Sequence, residues 1–137
     1  NTGDPVGYRS EVVLAVTKEA APYFMAMLAK NPDTKQMCEA ADEFEGDFDD
    51  EGGWLVHWTS IKWYAGYPEV DEVNEFIEAM SSDDLAEYGE PESSSIEWSE
   101  HFVFVRVGEE CDDIRREGYG PWDIYPQTLI HIGERNT

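Results

Sequence analysis

Residues 36–105 contain 20 acidic side chains and a single basic one, Lys62. Any element formed from this stretch has to turn a charged face to water and find apolar material for the other. Like charges one turn apart on a helix oppose it by about 0.2–0.5 kcal/mol per pair, so the apolar face must outweigh them. Across all 137 residues, 31 Asp and Glu outnumber 9 Lys and Arg, giving a net charge of -22. Self-repulsion at that charge works against any compact state. The opposing material is ample, since 41% of the residues are apolar and 13% aromatic, more than a disordered acidic tail carries. The acid therefore sits on a folded body. The length suits one domain, able to hide roughly two-thirds of its unfolded surface, so residues 1–137 read as a single acidic α+β domain.

The apolar pattern divides the chain into elements. Residues 8–17, with Val12-Val13-Leu14-Ala15-Val16 at their centre, read as a buried strand. Thr17 is expected to cap a helix whose apolar face is Tyr23, Phe24, Met27 and Leu28. Asn31-Pro32 stops it, and Asp33 or Thr34 is expected to cap a short helical piece reaching about residue 41. Phe44 and Phe48 anchor either an edge strand or a pinned loop within residues 42–53. Residues 54–63 form a strand. Tyr67-Pro68 opens the second main helix, with Val70, Val73, Phe76, Ile77 and Met80 as its buried stripe. Residues 83–95 read as a long polar loop, 96–107 as the strongest strand, 109–121 as an acidic excursion, and 122–132 as a last strand, at an edge because of Pro126. The order is β-α-(β)-β-α-β-β. It fits an α+β fold: an antiparallel sheet with two helices packed on one face, a ferredoxin-like variant.

The acid falls in two clusters. One comprises Glu39, Asp42, Glu43, Glu45, Asp47, Asp49, Asp50 and Glu51; the other runs through Glu69, Asp71, Glu72, Glu75, Glu78, Asp83, Asp84, Glu87, Glu90 and Glu92. Glu72, Glu75 and Glu78 follow one another at i, i+3 spacing, which sets helix neighbours about 5–6 Å apart. Phosphates along a DNA strand repeat on a comparable scale, one charge per ~3.4 Å of axis. A row of carboxylates at that pitch suits a groove built for a phosphate backbone. Glu69, Glu72, Glu75, Glu78, Asp83 and Asp84, with Glu45, Asp47, Asp49 and Asp50, are therefore the candidate partner-binding residues. The expected partner is a basic, nucleic-acid-binding protein.

The same charge disfavours direct binding of nucleic acid, which needs Lys and Arg, and of anionic membrane surfaces. No apolar run reaches the length of a membrane span, and no signal peptide is visible. Two isolated cysteines, Cys38 and Cys111, suit a reducing cytoplasm. Carboxylates around Cys111 raise its pKa and make it a poor nucleophile. No phosphate loop, nucleophile elbow or Cys-x-x-Cys pair occurs, and Glu109 to Asp113 lacks the spacing of a calcium loop. No catalytic residue, metal or cofactor is expected. Three alternatives stay open. The acid serves solubility, in a halophile or otherwise; an aromatic sheet face built from Trp54, Trp58, Trp63, Trp98 and Trp122 reads a partner; or His57, His101 and His131 converge on a metal in an enzyme.

Two segments carry a likeness. Ile61-Lys62-Trp63-Tyr64 followed by Tyr67-Pro68-Glu69-Val70, and Phe104-Val105-Arg106-Val107-Gly108-Glu109-Glu110 leading to Asp112-Asp113-Ile114, resemble a group of small acidic proteins encoded by bacteriophages. The likeness covers the C-terminal two-thirds of the chain. It implies that Trp63, Tyr64 and Tyr67 fix a strand-to-helix corner and that Arg106 holds the acidic turn at Glu109, Asp112 and Asp113. It also implies an inhibitor of host defence or of host nucleic-acid enzymes, acting in the host cytoplasm by DNA mimicry.

Overall fold

A computed structural model of the chain describes residues 8–89, 96–110, 112–122 and 124. β1 (Ser10–Val16) is buried along its whole length. Its β-branched run suits a central strand covered on both faces. It pairs antiparallel with β3 (Trp54–Ile61) on one side and β4 (Phe102–Val107) on the other. β2 (Glu43–Gly46) adds beyond β3, and β5 (Ile114–Glu117) beyond β4. The order is β2-β3-β1-β4-β5, antiparallel throughout. Its first four strands have the arrangement of a ferredoxin-like sheet, and β5 extends the β4 edge.

α1 (Ala21–Lys30), α2 (Pro32–Glu39) and α3 (Pro68–Ser81) supply the helices. Alternation along the strands sets Val12, Leu14, Val16, Val56, Trp58, Phe102 and Phe104 on one side of the sheet. These share a core with Phe24, Met27 and Leu28 of α1, Cys38 of α2, and Val70, Val73, Phe76, Ile77 and Met80 of α3. The expected stripe of α3 is thus the buried one. On the other side Val103, Val105 and Val107 form a smaller cluster with Trp122 and Ile124.

Several local details differ from the sequence reading. Asn31, not Asp33 or Thr34, caps α2: its Oδ1 accepts from the N–H groups of Asp33 and Thr34 at 3.0 and 3.3 Å. The same residue is the C-cap of α1. Ala20, not Thr17, holds the N-cap position of α1; Thr17 lies a turn earlier. The strand expected over 96–107 begins only at Phe102. Before it, Trp98–Glu100 makes a 3-10 turn, held by the Trp98 N–H donating to Asp83 Oδ1 at 2.8 Å and by the indole meeting Tyr23 edge-on. Within the segment expected as a polar loop, Leu85 and Tyr88 are core residues.

The acidic excursion at 109–121 contains a strand, β5. Its Arg115 stacks its guanidinium over Phe104 and donates to Asn74 of α3. Arg106 grips Asp113 with two bonds, at 2.7 and 3.2 Å, and so closes the turn between β4 and β5. Trp122 and Ile124 lie outside any strand, and residues 125–132 of the expected last strand, including Pro126, lie outside the described residues. Trp63 packs against Trp58 and Phe104, and Tyr64 against Tyr67, at the corner between β3 and α3.

Candidate acidic interface

α3 presents its acid because of how an apolar stripe and a 100° step share one cylinder. Steps of three residues drift by about 60° around the helix, so Glu72, Glu75 and Glu78 do not form a straight row. Glu72 falls about 40° from Phe76, at the margin of the core, whereas Glu75 and Glu78 point outward. Accordingly Glu72 is only 7% exposed. Its Oε2 accepts from the Tyr88 hydroxyl at 2.8 Å and lies 3.4 Å from Lys30 Nζ, which also reaches Glu87 at 3.3 Å. Burial first, and then the Glu72 carboxylate, push the Tyr88 phenol far above its ordinary pKa. Glu72 is therefore not part of an exposed carboxylate row. It ties α1, α3 and the segment after α3 together.

The rest of this cluster divides by role. Glu69 is half-buried in the first turn, and its carbonyl accepts from Thr34 Oγ1. Asp71 accepts from the Gly66 N–H. At the helix end Asp83 takes the left-handed conformation with φ 57°, which Asp tolerates better than most residues. The Asp84 N–H returns to the Ala79 carbonyl at 2.9 Å, closing a Schellman-type cap. That cap turns the chain so that Glu75, Glu78, Asp84 and Glu87, with Glu117 and Arg115, line one open groove of about 700 Å³. Arg115 is already engaged by Glu117 Oε2 at 3.0 Å.

The other cluster surrounds the β2–β3 loop. Asp47 and Asp50 have φ of 58° and 60°. Asp47 Oδ1 accepts from Gly52 N–H at 2.7 Å, and Asp49 Oδ1 accepts from the N–H groups of Glu51 and Gly53 at 3.0 and 2.9 Å. Partial burial works against charge on Asp49, but these backbone donors hold its carboxyl below the usual carboxylate range. Glu45 and Asp50 are exposed. Asp49, Asp50 and Glu51 line a second groove of about 850 Å³ with Glu19, Glu100, Lys18, His101 and Tyr119. Of the ten candidate carboxylates, Glu75, Glu78 and Asp84 line the first groove and Asp49 and Asp50 the second, and the two grooves share no residue. Among the described residues only Glu72 of the ten carries an ion pair.

Trp58, Trp63 and Trp98 are core residues, Trp54 packs on Phe44 and Phe24, and Trp122 packs on Phe48. Their rings are committed to packing. His57 lies level with Val13 on β1, and His101 level with Thr17. Four residues of strand, roughly 13 Å, separate them along β1; His131 lies outside the described residues. No group of three or more His, Cys, Asp or Glu side chains among the described residues is arranged to hold a metal. Burial pushes the Cys38 thiol up to about 12, which makes it a poor nucleophile; Cys111 lies outside the described residues. Among the described residues no helix is long and apolar enough to cross a membrane.

Sequence reasoning missed two networks, Glu72–Tyr88–Lys30 and a pairing of His57 with Glu11 and Glu43. Glu72's place beside the apolar stripe was a usable signal for the first. The second depends on strand register, which the sequence does not display. In comparisons with known proteins, no family model matches the chain, and no curated protein or solved structure matches it either.

Proposed function

We propose that this chain is an acidic binding protein, not a catalyst, that inhibits a basic, nucleic-acid-binding partner by occupying its cationic groove, as the resemblance to phage-encoded proteins implies. The observation that carries the reading is the groove beside α3. Glu75 and Glu78 point outward from a helix whose other side is fixed in the core, and Asp84 and Glu87 join them on one surface. Carboxylates held on a rigid element can meet a cationic cleft without reordering, which favours affinity. Their field speeds encounter at low ionic strength and is screened as salt rises.

The test is competition. The chain is titrated against a labelled DNA duplex bound to a non-specific DNA-binding protein, at low and high salt. Displacement that weakens with salt, and is lost in the Glu75→Lys/Glu78→Lys double variant, is the expected result. Equal displacement by wild type and double variant would sink the assignment of this groove.

A second reading, acid serving solubility, draws on Glu39, Glu97, Glu109, Glu110 and Asp112, which are exposed and line neither groove. It expects no displacement by either protein, and unfolding of the wild type when salt is withdrawn.

A further inference from the structure

His57 stands on the face of β3 opposite Val56 and Trp58, with both ring nitrogens against carboxylates. Nε2 is 2.7 Å from Glu11 Oε2 on β1, and Nδ1 is 3.0 Å from Glu43 Oε1 on β2. The side chains are 14% exposed for His57, 4% for Glu11 and 48% for Glu43. A neutral imidazole has one N–H and one lone pair, so it can donate to only one of two carboxylates; the imidazolium donates to both.

The surroundings add negative charge. Glu45 is on the same side of β2, opposite Leu55, and Asp42 precedes β2 and accepts from the N–H and hydroxyl of Thr59 on β3. On the β1 side Arg9 donates to the Ser60 carbonyl, three residues along β3 from His57. Val13, directly across from His57 on β1, is apolar. The strand that Glu43 belongs to is only four residues long and stands at the edge of the sheet.

We propose that His57 is a proton-dependent clasp: as an imidazolium it ties the edge strand β2 to the central strand β1 across β3, and loss of its proton releases β2 together with the acidic loop that follows. Burial opposes the charge on the ring, but the bonds to Glu43 and Glu11 outweigh it and raise the pKa above the ordinary 6.5. A group raised on folding stabilises the folded state fully below its unfolded pKa, and that stabilisation is lost as pH rises through the folded value. The clasp therefore holds below a folded-state midpoint that lies above 6.5, and opens as pH rises through it. His57, Glu11 and Glu43 line neither acidic groove, so the clasp does not rest on what the grooves bind.

Nitrogen-15 NMR of the histidine rings across a pH titration tests it, with His57 assigned by its absence in His57→Gln. The expected result is a His57 ring protonated on both nitrogens below a midpoint that lies above 6.5 and moves down in Glu43→Gln. Amide-exchange protection of Glu43–Gly46 should fall as His57 titrates, while that of Phe102–Val107 does not. A midpoint at or below 6.5, or β2 protection indifferent to the titration, overturns the proposal. If Glu43→Gln fails to fold, the wild-type titration and exchange data decide alone.

Discussion

In the β2–β3 loop, Asp47 and Asp49 commit their carboxylate oxygens to backbone N–H groups of their own turn, whereas Glu75 and Glu78 on α3 face outward while the opposite side of the same helix is buried. Both regions look alike in the sequence as dense acid. In the first, negative charge is part of what closes the loop, because buried or half-buried N–H groups need an acceptor. In the second, shape comes from Val70, Val73, Phe76, Ile77 and Met80, and the acid is carried on it. Acid that folds a turn and acid that is displayed by a helix should respond in opposite directions to removal.

The largest effect should come from the footing of the displayed acid. Phe76→Ala should lower stability by about 3–5 kcal/mol, as for other large buried aromatics, measured by urea unfolding. A loss under 1 kcal/mol would mean that α3 does not depend on its core face. Next comes the buried exception on α3: Glu72→Ala leaves the Tyr88 hydroxyl without its acceptor and should cost about 1–3 kcal/mol.

Asp49→Ala removes the acceptor of two backbone N–H groups and should cost about 1 kcal/mol. Glu78→Ala makes the same change in charge and should leave the melting temperature unchanged or raised, since it relieves repulsion. Equal responses of these two variants would erase the contrast. The smallest effect is in acid. The Asp49 and Asp113 carboxyls are held below 3.8, the first by the Gly53 and Glu51 N–H groups against partial burial, the second by Arg106 and then Tyr8. Groups depressed on folding stabilise above their unfolded pKa and lose that contribution as pH falls through the lower folded value. Asp49→Asn should therefore flatten the acid limb of stability against pH.

The main elements, though not the order of the strands in the sheet, were readable because the buried runs are unmistakable: Val12 to Val16 as a buried strand, the stripe from Val70 to Met80 as a helix face, and the apolar run into Phe102–Val107. β5 was not, because Arg115 sits among acids and its apolar contact is the face of Phe104, which no hydropathy pattern records. Trp98 falls within the strand expected over 96–107, but the chain turns there instead. Of the candidate interface, Glu75, Glu78 and Asp84 were legible as acid on one helix and its exit. The burial of Glu72 was not, because the spacing rule fixes neighbours along a helix without fixing where the core begins.

Asn31 closes α1 and opens α2 within a single residue, so the chain rounds that corner with no connector. A joint without slack transmits torque. The two helices should therefore move as one rigid arm, and an insertion between Lys30 and Pro32 should disturb both at once.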